Sequence, residues 1–116
     1  MKVLVCGSRH FENPFAISLA IHKRLSELPD DATVIHGDAP GADRMADQSA
    51  KARGLNVVAV PADWKTHGKR AGVLRNIAML DMNPVLVLAY WNGTSNGTAH
   101  TISEARKRGI PVEVIT

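Results

Sequence analysis

Four glycine-bearing runs hold the residues whose types and spacing suit chemistry. They are Cys6-Gly7-Ser8-Arg9, His36-Gly37-Asp38-Ala39-Pro40-Gly41-Ala42-Asp43, Pro61-Ala62-Asp63-Trp64 continuing to Arg75-Asn76, and Gly93-Thr94-Ser95-Asn96-Gly97-Thr98. Glycines permit close backbone approach, and a helix starting just beyond such a turn offers free N–H groups at the positive end of its dipole. The combination suits an anion, above all a phosphate. In the last run Ser95, Gly97 and Thr98 are candidate donors against a helix start. In the second, Gly37, Gly41 and Ala42 open an alanine-rich helix, and Asp38 and Asp43 serve as caps or accept from ribose hydroxyls. Gly7 and Ser8 offer backbone and hydroxyl donors to a phosphate, with Arg9 adding charge.

The third run is the most unusual, with Trp64, Lys65, His67, Lys69, Arg70, Arg75 and Asn76 close together. A tryptophan there can stack on a base while an arginine pairs with phosphate. Trp91 is a second stacking candidate, and Lys65 and Lys69 read as solvated charge. His10, His36, His67 and His100 also fall near strand ends, but none has a metal-ligand spacing such as His-x-x-x-His. They are assigned to hydrogen bonding or acid–base work, and no metal is expected. The first turn lacks the G-x-G-x-x-G fingerprint of dinucleotide binding, so no nicotinamide-type cofactor is expected either.

The elements that must position these runs follow from the apolar pattern. Strands are expected at Lys2–Cys6, Thr33–His36, Val57–Val60, Val85–Tyr90 and Pro111–Ile115. Between them helices are expected at Pro14–Leu28, Gly41–Arg53, Gly68–Leu80 and Thr98–Arg108. Asn13 before Pro14 is an N-cap followed by proline at the first helical position, and Gly54 and Gly109 stand where C-caps belong. Val112 and Val114 alternating with Glu113 suggest a sheet edge. Alternating strands and helices imply an α/β, three-layer Rossmann-like parallel sheet of about five strands with helices on both faces. The expected strand order is 3-2-1-4-5. In such a sheet all four runs lie at one carboxyl edge, where ligands bind.

At 116 residues the chain is read as a single domain, 1–116, long enough for one core. Hydrophobic residues make up 45% and aromatics only 4%, so the core must be aliphatic. A net charge of +3 suits an anionic ligand but is low for a dedicated nucleic-acid-binding domain. The single cysteine, Cys6, excludes an internal disulfide and is read as a small core residue. With no apolar run of membrane-spanning length and no signal pattern, the expected location is cytoplasmic, without a membrane partner.

Taken together, the four runs resemble those of the SLOG superfamily of Rossmann-like nucleotide-binding domains, which includes the lonely-guy phosphoribohydrolases and the DNA-processing protein A core. The chain looks most like the small standalone YspA-like members. Cys6-Gly7-Ser8 matches the Cys-Gly-Ser of the lonely-guy enzymes. Gly37-Asp38-Ala39-Pro40-Gly41 with Met45 partly matches their Gly-Gly-x-x-Gly-x-Met, and Arg75-Asn76-Ile77-Ala78-Met79 is similar to their Arg-Lys-x-x-Met. Gly93 to Thr98 looks like the start of their Pro-Gly-Gly-x-Gly-Thr-x-x-Glu, but Thr101 occupies the glutamate position. In those enzymes the arginine and that glutamate act together on the N-glycosidic bond of a nucleoside monophosphate. Thr101 has neither charge nor useful basicity, and the substitutes nearby are His100 and Glu104.

The resemblance and the runs together imply a domain that binds a nucleotide or nucleotide-derived phosphate ligand. This could be a nucleoside monophosphate or an ADP-ribose-like molecule, held as by a sensor, carrier or sequestering protein. The alternative is an N-glycosidase acting on nucleoside 5′-monophosphates, with Arg75 on phosphate and His100 or Glu104 as base. A second alternative is single-stranded DNA binding. The resemblance also implies a homodimer that completes each site with a neighbour's residues.

Overall fold

Strand β1 (Lys2–Gly7) is almost wholly buried, which requires cover on both faces of the sheet it belongs to. The cover alternates with the pleat. Val3 and Val5 point into one apolar layer, Leu4 and Cys6 into the other. In a computed structural model describing residues 1–116, β1 pairs with β2 (Thr33–His36) and β4 (Leu86–Tyr90). β2 carries β3 (Asn56–Ala59) beyond it, and β4 carries β5 (Val112–Ile115). All pairs are parallel, and the order is β3-β2-β1-β4-β5. The fold is the α/β Rossmann-like sheet expected from the sequence, with its strand order.

One face is covered by α1 (Pro14–Ser26) and α2 (Ala42–Arg53). Ile21 and Leu25 of α1 are fully enclosed, each such burial contributing about 1.5–3 kcal/mol. Ala42, Ala46 and Ala50, four apart along α2, give that helix a smooth stripe that lies close on the strands. The other face is covered by α4 (Ala71–Leu80) and α5 (Asn96–Lys107), through Met79, Leu80, Ile102 and Ala105.

The differences from the sequence reading have local causes. α1 stops at Ser26, and Glu27 is its C-cap, because Pro29 cannot continue the helix; Leu28 is still buried. The expected helix from Gly68 to Leu80 is divided into α3 (Trp64–His67), a 3₁₀ turn (Gly68–Arg70) and α4. Asp63 caps the extra helical turn by accepting from the Thr66 amide at 3.2 Å, and Gly68 at φ +55° ends it. α5 begins at Asn96, two residues early, because Ser95 is its cap. β5 is an edge strand, yet its alternation differs from expectation: Val114 is 37% exposed, and Ile115 packs on the α1/α2 layer instead. No helix is long and apolar enough to cross a membrane.

Candidate functional site

The carboxyl ends of β1, β2 and β4 open into a cleft of about 520 Å³. Cys6, Gly7, Arg9 and His10 come from the β1 side, and Ala39 and Asp43 from the turn into α2. Trp64, Lys69, Gly72, Val73, Arg75, Asn76 and Met79 come from α3 through α4. The remaining wall is the loop after β4 and the first turns of α5, from Asn92 through Thr101.

Ser8 ties three loops together. Its amide donates to the Tyr90 carbonyl at 2.9 Å, its carbonyl accepts from the Ala42 amide at 3.2 Å, and its hydroxyl accepts from the Asn92 amide at 2.9 Å. Gly7 is needed for the same crossing, since a methyl group there would strike the Tyr90 carbonyl and the Ala42 side chain. Gly41, at φ +87°, lies against the Ser8 carbonyl and the Arg9 backbone. These glycines allow chain to meet chain.

Asn92 organises the loop after β4. Its Oδ1 accepts from the Thr94 amide and hydroxyl, both at 2.9 Å, and from the Ser95 amide at 3.2 Å. Its Nδ2 donates to the His10 carbonyl at 3.1 Å. The loop so shaped delivers Ser95 as the cap of α5, where its hydroxyl accepts from the Thr98 amide at 3.5 Å. The amides of Asn96 and Gly97 have no partner within the protein, and both residues are exposed to the cleft. Two free donors at the positive end of a helix dipole have the geometry that suits an anion. Thr101 lies beneath that turn, its hydroxyl donating to the Gly97 carbonyl at 3.2 Å.

A second network crosses the floor. Asp43 Oδ2 accepts from the Gly37 amide at 3.0 Å and the Ala39 amide at 3.3 Å. The Gly37 carbonyl accepts from Arg75 Nη1 at 2.5 Å, and Arg75 Nε donates to Asn76 Oδ1 at 2.9 Å. Asn76 Nδ2 then reaches the Gly97 carbonyl at 3.4 Å. The β2 turn and α5 are thus connected through α4. Burial pushes the Asp43 carboxyl above its usual range, although the Ala39 and Gly37 amides, Arg75 and His36 oppose the shift. Burial likewise pulls the Arg75 guanidinium below its ordinary value, against the attraction of Asp43 and together with repulsion from Arg9. The Cys6 thiol is pushed up by burial and by Asp43, which leaves it a poor nucleophile.

The sequence-derived candidates divide on this geometry. Gly7, Arg9, Asp43, Trp64, Arg75, Asn76, Ser95, Gly97, Thr98 and His100 line the cleft. Ser8, Gly37, Asp38, Gly41, Ala42, Arg70 and Glu104 do not. Ser8, Gly37, Gly41 and Ala42 are used in joining the loops. Asp38, at φ +55°, directs its amide to His36 Nδ1 at 2.9 Å. That fixes His36 as the tautomer that donates from Nε2 to Asp47 Oδ1 at 2.8 Å, inside the fold. Glu104 turns toward Arg108 at 3.5 Å. Trp91 packs on the α4/α5 layer and donates its indole N–H to the Ser95 carbonyl at 3.0 Å, so Trp64 is the tryptophan at the cleft. Sequence reasoning missed Asn92, Thr94 and His10 as a joined wall. An asparagine directly before a glycine after a buried strand was the available signal.

Comparisons with known proteins agree with the fold. The chain is 42% identical over 116 residues to the Gene 61 protein of Mycobacterium phage D29, covering 96% of this chain and 93% of that one. It is similar in fold to the X-ray structure of DNA processing protein A from Streptococcus pneumoniae, with a TM-score of 0.82 and 21% identity. That match takes in 99% of this chain but only 50% of the other, so this chain spans about half the length of that protein. Residues 1–67, which carry β1 through α3 and the first two glycine runs, match the model of the YspA, cpYpsA-related SLOG family, and the chain belongs to that family.

Proposed function

We propose that the cleft binds a nucleotide or nucleotide-derived phosphate ligand, such as a nucleoside monophosphate or an ADP-ribose-like molecule. The protein then works as a sensor, carrier or sequestering domain. One observation carries this reading: Arg9, Lys69 and Arg75 face a single carboxylate, Asp43, beside the two free amides that start α5. Such a lining favours a multiply charged anion with several acceptor oxygens. Trp64, 53% exposed beside Gly72 and Val73, gives the same cleft an apolar rim on which a base can stack.

Strong N-glycosidase chemistry receives less support. Thr101 is committed to the Gly97 carbonyl, and Glu104 is committed to Arg108 outside the cleft. His100 stands 3.5 Å from Asn76 Nδ2 without a carboxylate to orient it.

Native mass spectrometry of gently purified protein, with a thermal-shift panel of mononucleotides, ADP-ribose and oligo-dT, tests the proposal. An intact nucleotide that co-purifies and raises the melting temperature is the expected result. Free base and ribose 5-phosphate would instead make it an enzyme. A second reading rests on Trp64 standing among exposed Lys65, Lys69 and Arg70: single-stranded nucleic acid could stack and pair there. Stabilisation by oligo-dT alone, with affinity falling steeply in salt, would select that reading.

A further inference from the structure

The cleft holds one acid among its cations, and that acid is half committed. Asp43 is only 5% exposed. Its Oδ2 is taken by the Gly37 and Ala39 amides, while Oδ1 makes no hydrogen bond within the protein although the residue lines the cleft. The Gly37 and Ala39 amides fix the carboxylate so that it cannot swing to a partner of its own. Keeping a lone carboxylate near Arg75 weakens any phosphate bound beside it, so its presence calls for a donor in the ligand.

Two parts of a nucleotide carry such donors: the ribose hydroxyls and the exocyclic amine of a base. The apolar surface that suits a base lies elsewhere, at Trp64 and Val73 on the rim. The phosphate donors, Asn96 and Gly97, lie on α5. Asn76 joins α5 to Arg75, and Arg75 joins the Gly37 turn that holds Asp43. Val73 and Asn76 lie three residues apart on α4, so the apolar rim and the link to the α5 amides share one side of the cleft, with Asp43 on the wall from the β2 turn. The part of the ligand left for the floor is the sugar.

We propose that Asp43 Oδ1 accepts hydrogen bonds from the ribose hydroxyls, so that the cleft selects ribonucleotides over deoxyribonucleotides. This rests on the nucleotide reading above and adds a specificity-determining residue to it. Asp43 Oδ1 is reachable from the cleft in the free protein, and a bound ligand would close it off from water. An analogue that lacks the hydroxyl then leaves this oxygen desolvated and unpaired, which discriminates strongly.

The test is isothermal titration of the wild-type chain with four matched pairs: AMP and dAMP, GMP and dGMP, CMP and dCMP, UMP and dUMP. The expected result is that every pair with measurable affinity favours the ribonucleotide by about tenfold or more. Equal affinity within the pairs would overturn the assignment and leave nucleotide binding standing. Preference for one base without preference for ribose would overturn it as well, placing the carboxylate on the base. No binding by any of the eight would overturn the assignment, and the nucleotide reading falls with it if ADP-ribose also fails to bind. Asp43→Asn then locates the effect: its carbonyl can keep the two backbone amides while the cleft-facing atom changes from acceptor to donor. The ribose preference should collapse toward unity in that variant, and a preference that persists in it would remove Asp43 from the role.

Discussion

Arg75 Nη1 donates to the Gly37 carbonyl at 2.5 Å, and that single bond spans from α4 to the turn after β2. The arginine that the sequence offers as a phosphate partner is therefore also a brace. Its Nε is held by Asn76, so the guanidinium is placed before any ligand arrives, with Nη2 free of protein partners. Such preorganisation lowers the entropy lost on binding. It also means that substitutions at Arg75 must be read in two quantities, stability and affinity.

Arg75→Ala leaves the Gly37 carbonyl without its donor in a part-buried setting, at an expected loss of about 1–3 kcal/mol in stability. Arg75→Lys keeps the charge but cannot make both bonds, and should lower AMP affinity by about tenfold. Denaturant unfolding and titration calorimetry on the same samples separate the two effects. Unchanged affinity in Arg75→Lys would show that the guanidinium is only a brace.

The glycines separate into two kinds. Gly41→Ala forces a side chain onto a φ of +87° and into the Ser8 carbonyl, and should destabilise by roughly 1–3 kcal/mol or prevent folding. Gly97→Ala meets open space in the first turn of α5 and should leave stability unchanged or raise it by about 0.5–1 kcal/mol. Its methyl group would nevertheless stand beside the free amides, so weaker phosphate binding with normal thermal stability is the expected signature.

Stability should depend on pH through Asp43. Its folded-state pKa is raised, chiefly by burial, so the folded protein binds this proton more tightly than the unfolded chain does. The favourable contribution is complete below the ordinary aspartate pKa and is lost as pH rises through the higher folded value. Asp43→Asn lacks this dependence. The unfolding free energy of wild type relative to that variant should therefore fall across that window and level off above it, as followed by urea denaturation at stepped pH. A difference that rises with pH would show the carboxylate to be better stabilised than its burial implies.

The two tryptophans should behave as opposites. Trp64→Ala removes a side chain that is 53% exposed, and is expected to change stability by no more than about 0.5 kcal/mol while abolishing ligand-dependent fluorescence quenching. Trp91→Ala removes packing from the α4/α5 layer and the donor to the Ser95 carbonyl, at about 3 kcal/mol or more. Quenching that survives Trp64→Ala would move the base site away from the rim.

The alternation of buried strands with capped helices settles the architecture from sequence alone. The run Val-Leu-Val-Cys is apolar without a break because β1 is covered on both faces, and right-handed crossovers leave few orders for five parallel strands. The same logic places four runs at one edge, because strand ends in a parallel sheet point the same way. What each residue does there depends on distances between segments far apart in the chain, which no local pattern encodes. Ser8 and Asn92 lie 84 positions apart, yet their bond decides that the Ser8 hydroxyl serves the loops. Gly37 and Arg75 lie 38 apart, and only their meeting shows that the arginine braces the turn. Asp43 reads from sequence as a cap or a ligand acceptor. Tertiary structure denies it the cap, since Gly41 starts α2 without a side-chain bond. One Asp43 oxygen holds the Gly37 and Ala39 amides of the preceding turn and the other stays without a protein partner, because those two amides can satisfy only the atom that faces them.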